Sequence, residues 1–142
     1  MNIVIVGDGK VGAALTEHLS KEGHDVVVID KDPRVVEAMA NTYDVMGLCG
    51  NGASYSVQKE AGVEKARLLI AATSSDELNI LCCLVEKKTG ARHTIARVRN
   101  PEYAQQLHFF REELGLCLVV NPEFASSTEI SRILSFPTAI HM

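Results

Sequence analysis

No apolar run in this 142-residue sequence approaches the roughly 20 residues that span a bilayer, so direct membrane insertion is not expected. No signal-peptide pattern precedes the first strand-like run, and a cytoplasmic location is expected. A basic excess is also missing. Fourteen Lys and Arg stand against eighteen Asp and Glu for a formal net charge of -4, which argues against nucleic acid as a partner. The four cysteines (Cys49, Cys82, Cys83 and Cys117) have neither zinc-site spacing nor the pattern of a small disulfide framework. They read as buried reduced thiols, with the adjacent pair Cys82-Cys83 the one candidate for redox chemistry. No G-x-S-x-G occurs, and the five histidines show no metal-ligand or triad spacing. His18 falls on an apolar helical face and reads as a core residue.

What is present is a regular alternation of short β-rich runs and longer amphipathic segments, with 46% hydrophobic residues for a packed core. Strands are expected at Asn2 to Val6, Asp25 to Ile29, Asp44 to Cys49, Leu68 to Ala72, His93 to Val98 and Leu116 to Val120. Their apolar character is nearly continuous, as in strands covered on both faces. Helices are expected from Val11 to Gly23, from Pro33 to Asn41, from Ser54 to Ala61, and after Ser74 up to Gly90. The first places Val11, Ala14, Leu15, His18 and Leu19 on one face, and Pro33 suits the first turn of the second. Ser74 and Glu77 have capping-box spacing at the head of the fourth. That helix shows Leu78, Leu81, Cys82 and Val85 on one face, while Ile80 and Leu84 form a second stripe suited to a subunit contact. A fifth helix from Pro101 carries Tyr103, Leu107, Phe110 and Leu114, and a sixth runs from Pro122 to Ser135. Strict strand and helix alternation implies an α/β fold, a three-layer doubly wound parallel sheet of the Rossmann type, with six strands in the order 3-2-1-4-5-6.

The stretch with the most chemistry is Gly7-Asp8-Gly9-Lys10-Val11-Gly12, a complete G-x-G-x-x-G between the first strand and the first helix. Asp30 ends the second strand at the spacing of about 20 residues that a ribose-binding acid requires. Gly7 suits the tight turn, Gly9 leaves room for a pyrophosphate, and Gly12 lets the helix pack close to the strand. The helix N-terminus supplies free N–H groups and a favourable dipole for the anion. A carboxylate at Asp30 accepts from ribose hydroxyls and repels a 2′-phosphate, which favours NAD(H) over NADP; Lys31 softens that repulsion. In an open doubly wound sheet the crevice lies between strands one and four, so Thr73 and Ser74 are expected to face the glycine loop. Ser74 serves equally as a helix cap. Gly50-Asn51-Gly52 is expected beside the adenine, or as a simple turn. Arg97 and Arg99 close strand five and suit phosphates or an acidic neighbour. Lys10 is either a phosphate contact or an exposed first-turn lysine. Hydride transfer needs a substrate pocket and usually an acid–base residue, and the sequence offers no second domain for either. The pattern therefore reads as a ligand-binding sensor, with the cofactor domain of an oxidoreductase lacking its catalytic part as the alternative.

Over nearly its whole length the sequence resembles the N-terminal nucleotide-binding domain of TrkA-type potassium-uptake regulators, the KTN or RCK family. The likeness rests on GDGKVG with Asp30, GNGASYSVQKEAGVEKARLLIAATSSDELN, IARVRNPEYA and VVNPEFASSTEISRILSFP. The resemblance implies a non-enzymatic regulatory subunit, cytoplasmic and peripheral to the membrane, docked on a potassium transporter or channel. It implies NAD(H) as ligand, with ATP or ADP at the same site in some members. By position, Gly7 to Val11, Asp30, Thr73, Ser74 and Arg97 match the family's nucleotide contacts, and a basic residue at the place of Lys10 is linked to ATP. It further implies a homodimer or ring-forming homo-oligomer, a crossover helix over residues 122–136, and a single domain over 1–142 without the C-terminal subdomain of longer members.

Overall fold

The computed structural model describes residues 1–7, 9–109 and, for the backbone, 117–120. Six strands form one parallel sheet: β1 (Asn2–Val6), β2 (Asp25–Asp30), β3 (Met46–Cys49), β4 (Leu68–Ala71), β5 (His93–Arg97) and β6 (Cys117–Val120). Their order is β3-β2-β1-β4-β5-β6, as expected from the alternation. Between them run α1 (Lys10–Lys21), α2 (Pro33–Thr42), α3 (Tyr55–Glu60), a 3-10 turn at Val63–Lys65, α4 (Asp76–Thr89) and α5 (Pro101–Phe109). The fifth helical pattern's Phe110 and Leu114, and the whole sixth helix, lie outside the described residues.

Alternate strand residues point to opposite faces, and the core divides accordingly. Ile3, Ile5, Val26, Val28, Leu68 and Ile70 pack with Leu15 and Leu19 of α1. Val4, Val6, Ile29, Leu69 and Ala71 pack on the other face with Val63, Ala66 and Cys82. Both faces of the central strands are therefore covered, which is why β1 and β4 are almost uninterrupted aliphatic runs. The edge strand β3 departs from that expectation: Met46, Gly47 and Cys49 are exposed and Leu48 is half-buried. A Cβ on Gly47 would strike Val36 of α2, so this glycine is needed for helix α2 to approach the sheet.

Two helices present different faces from those their apolar spacing suggests. In α1, Ala14 is exposed, whereas Gly12 and Thr16 are buried, the Thr16 hydroxyl donating to the Gly12 carbonyl at 2.8 Å. His18 is not a core residue. Its side chain is 31% exposed, with Nε2 2.9 Å from Glu22 Oε1 one turn on. In α4 the buried residues are Asn79, Cys82, Cys83, Glu86 and Thr89, while Leu81 and Leu84 are exposed. The helix turns its polar groups inward because each meets a partner there: the Glu86 carboxylate accepts from the Thr94 hydroxyl at 3.0 Å, and the Thr89 hydroxyl donates to Gln58 Oε1 at 3.2 Å. Both Cys82 and Cys83 are buried free thiols, and burial pushes the Cys82 thiol up to about 12, leaving it unreactive near neutral pH. Cys49 is exposed, against the expectation of burial.

Candidate functional site

The strand register sets the site. Leu48, Ile29, Val6, Ala71, Ala96 and Val119 form one row across the sheet. One residue further toward the carboxyl ends stand Gly7, Asp30, Ala72 and Arg97. Residues far apart in sequence thus reach the same rim, on both sides of the gap between β1 and β4 where the strand order reverses.

Gly7 takes φ +87°, and a Cβ there would lie 2.7 Å from Thr73 Cγ2 and 2.8 Å from Thr73 Cα. Both the turn and the close approach of the two loops require glycine. The Gly7 amide donates to the Ile29 carbonyl at 2.8 Å, pinning the loop to β2. Gly9 is the N-cap of α1 and provides no side-chain cap, and a Cβ on it would meet nothing within 4 Å. The first intrahelical bond is donated by Ala13 to the Gly9 carbonyl at 2.7 Å. The amides of Lys10, Val11 and Gly12 precede it and have no carbonyl of their own helix to bond. Lys10 is exposed at the head of this turn, Val11 is half-buried against the core, and Gly12 is buried. Asp8 lies outside the described residues.

Asp30 is half-buried at the end of β2. Its Oδ1 accepts from the Asp32 amide at 2.9 Å, which fixes the carboxylate at the rim. Asp32 in turn caps α2, accepting from the Arg34 amide at 2.9 Å, with Pro33 in the first turn as expected. The Asp30 carbonyl accepts from Gly50 at 2.9 Å, which brings the Gly50-Asn51-Gly52 loop alongside. Asn51 Oδ1 accepts from the Ala53 amide at 3.0 Å. Gly52 is buried so tightly on Val6 that a Cβ would strike its side chain. This loop is therefore a packed wall beside the site, built by local hydrogen bonds and close packing.

Across the gap, Thr73 faces Gly7 as expected, but with its methyl. The Thr73 hydroxyl points away from the glycine loop, donating to Asn79 Oδ1 at 2.7 Å and lying 3.2 Å from the Ser75 amide. Ser74 is exposed and does not cap α4. The cap is Ser75, whose hydroxyl accepts from the Leu78 amide at 3.1 Å; the carboxylate of Glu77 meets that same hydroxyl at 3.2 Å. The cap thus falls one residue later than the S-x-x-E spacing places it, on Ser75. Arg97 is half-buried, and its Nη1 donates to the Thr73 carbonyl at 3.1 Å while its buried Nε has no partner. Burial and the neighbouring Arg99 lower its pKa, opposed by Asp76. Arg99 lies beyond β5, exposed, with Nη2 donating to the Ser74 carbonyl at 3.2 Å. Asn79, not singled out from the sequence, is fully buried between these groups. Only its place in a helix whose neighbouring loops carry polar residues could have pointed to it.

The glycine-loop helix, the acid on β2 and the arginine on β5 stand along one rim at the carboxyl edge of a parallel sheet. That arrangement suits an anion-bearing, ribose-bearing ligand: free amides for phosphate, a carboxylate for hydroxyls, a guanidinium for a second anion. Among the described residues no cluster of His, Cys, Asp and Glu has the makings of a metal site, and no helix is long and apolar enough to cross a membrane.

A family model, the TrkA-N domain, matches residues 3–122. The chain belongs to the TrkA-N domain family. Among relatives of this TrkA-N domain, a Trk system potassium uptake protein TrkA homolog of Archaeoglobus fulgidus is 38% identical over 142 residues, covering 100% of the chain but 32% of the relative. A second, from Methanothermobacter thermautotrophicus, is 31% identical over 137 residues, 96% of the chain and 62% of the relative. The chain thus spans 32% of the first relative and 62% of the second, less than two-thirds of either. Of solved structures, the TrkA-N domain of inner membrane protein ybaL from Escherichia coli superposes with a TM-score of 0.74 at 23% identity, covering 94% of this chain and 93% of that one. The GsuK channel bound to NAD does so with a TM-score of 0.71 at 24% identity, covering 84% of this chain and 21% of that one. Both likenesses are of fold.

Proposed function

We propose that this TrkA-N domain binds NAD(H) in the crevice between β1 and β4 and, as a non-enzymatic regulatory subunit, controls a membrane potassium transporter or channel. The observation that carries the reading is the shared rim: Gly7, Asp30 and Arg97 stand at one level of the register, with open space at Gly9. The amides of Lys10, Val11 and Gly12 would hold the pyrophosphate, Asp30 the adenine-side ribose, and Arg97 with Thr73 and Ser74 the second half of the dinucleotide. The unpartnered Arg97 Nε fits a ligand acceptor on that side, since a buried donor without a partner costs about 1–3 kcal/mol. Asp8 completes the loop in this assignment. ATP or ADP fits the same amides and ribose acid, with exposed Lys10 available to the outer phosphates.

Support for the regulatory part comes from the relatives, named Trk system potassium uptake proteins. Solved neighbours include GsuK bound to ADP and a Kef C-terminal domain in an AMP-bound form, as well as GsuK bound to NAD. A ligand shifts a protein between conformations only by its differential affinity for them, so in this reading NAD(H) acts by being bound and supplies no hydride. The domain over 1–142 works at the cytoplasmic face, within a homodimer or ring that residues 122–136 help to join, on a transporter subunit that crosses the membrane.

Thermal unfolding with NAD, NADH, NADP, ATP and ADP in parallel tests this. A ligand at 100 times its dissociation constant adds about 2.7 kcal/mol to the native state. NAD or NADH should raise the melting temperature, and Asp30→Ala should remove most of that rise. An equal or larger shift with NADP would overturn the role of Asp30. No shift with any nucleotide would overturn the reading as a whole.

A further inference from the structure

The crevice has two walls, and one of them hangs on a single side chain. Asn79 in α4 is fully buried, and every hydrogen-bonding position of its carboxamide is used on the loop ends of β4 and β5. Its Oδ1 accepts from the Thr73 amide at 2.9 Å and from the Thr73 hydroxyl at 2.7 Å. Its Nδ2 donates to the Thr73 carbonyl at 3.1 Å and to the Arg97 carbonyl at 2.8 Å. A carboxamide has two acceptor positions and two donors, so the set is complete. Aspartate lacks the donors, glutamine is one methylene too long, and an aliphatic side chain would take the Asn79 partner from the Thr73 amide and the Arg97 carbonyl. The Thr73 carbonyl held by Asn79 is also the acceptor for Arg97 Nη1 at 3.1 Å. The same contact therefore orients the guanidinium.

The other wall, Asp30 with the glycine loop and Gly50, is held by backbone bonds to β2 and by the Asp32 amide on the Asp30 carboxylate, and among the described residues none of these bonds involves Asn79. We infer that Asn79 is a positioning residue for the second half of the ligand: it fixes Thr73 and Arg97 at the β4 and β5 rim, and so separates recognition of a dinucleotide from recognition of a mononucleotide. This inference rests on the nucleotide-binding reading above. It assigns to α4 a part in ligand discrimination.

The test compares NADH with AMP, which carries only the adenosine half and one phosphate, by calorimetric titration of the wild type, Asn79→Asp and Thr73→Val. Asn79→Asp keeps the shape but sets a carboxylate against two carbonyls. Thr73→Val removes only the hydroxyl and keeps the methyl against Gly7, so it reports on the same network if the Asp variant does not fold. Both variants should weaken NADH by about ten-fold or more while AMP stays within about two-fold of wild type. A merely structural role would move both ligands together, and that result, or unchanged NADH affinity in both variants, overturns the inference while leaving the nucleotide reading intact. A wild type that binds neither ligand overturns the nucleotide reading and the inference with it.

Discussion

Glu86 is the residue whose chemistry is most at odds with its place. It is 5% exposed, and its carboxylate accepts from the Thr94 hydroxyl at 3.0 Å. Burial raises its carboxyl above the usual range, with the Thr94 bond, Lys87 and the Ala91 backbone pulling back in smaller measure. The sign follows from proton binding. Between the unfolded and the raised folded value the native state holds the proton more tightly, so its stabilising effect is complete below the unfolded value and is lost as pH rises through the folded one. Glu86→Gln keeps an acceptor for Thr94 and has no charge to bury. The variant should be more stable than wild type in urea unfolding at about pH 8, with the gap closing toward about pH 3, below the unfolded value, where Glu86 is protonated in both states. A variant less stable at neutral pH would mean that the ionised carboxylate is stabilised by its surroundings. Asn79 and Glu86 are both polar, both on α4 and both buried, but they differ in kind. Asn79 has all its bonds made, whereas Glu86 carries a charge its surroundings compensate only in part.

At the level of elements, the start of α4 shows how local signals err and by how much. The S-x-x-E spacing at Ser74 and Glu77 marks a helix start, yet the hydroxyl that accepts from the first turn is that of Ser75. Ser75→Ala should cost about 1 kcal/mol by chemical unfolding, while Ser74→Ala should be near neutral; the reverse order would restore the cap to Ser74. Strands and turns were legible because their causes are local. Val, Ile and Leu runs mark β1, β2 and β4, and Gly7, Gly23, Gly62 and Gly90 stand where the backbone takes positive φ. Asp30 was legible because its distance from the glycine loop follows from one strand–helix–strand unit. The inward face of α4 was not. Apolar spacing points to Leu78 and Leu81, but the helix is rotated by partners on Thr73, Thr94 and Arg97, which lie 6, 8 and 18 residues from the α4 groups they meet. Such contacts exist only after the sheet has formed. The direction of the Thr73 hydroxyl was not legible for the same reason, since the residue lies at the rim but its hydroxyl donates to Asn79.

For the molecule as a whole, the sheet has two edges of unlike character. At the carboxyl edge the amides of Lys10 to Gly12 precede the first bond of their own helix, which Ala13 donates to Gly9. At the opposite edge the incoming chain is tied strand to strand: Asp25 donates to Met1 at 3.0 Å, Arg67 to Asn2 at 2.8 Å and His93 to Arg67 at 3.2 Å. A ligand that binds the native state slows every amide that exchanges only by global unfolding, whichever edge it occupies. Amides that exchange by local opening slow only where the ligand touches or closes the loop. Hydrogen exchange with saturating NADH should therefore protect two classes. The core amides of β1 and β4 should slow together by the binding free energy. Among fast-exchanging loop amides, those of Lys10, Val11 and Gly12 should slow, whereas those around Gly23 and Lys65 should keep their rates. Protection of the β4 and β5 ends at Thr73 and Arg97 should appear with NADH and be weaker with AMP, since only the dinucleotide reaches the wall that Asn79 holds. Protection confined to the Gly23 and Lys65 edge would put the ligand at the wrong end of the strands and remove the crevice from consideration.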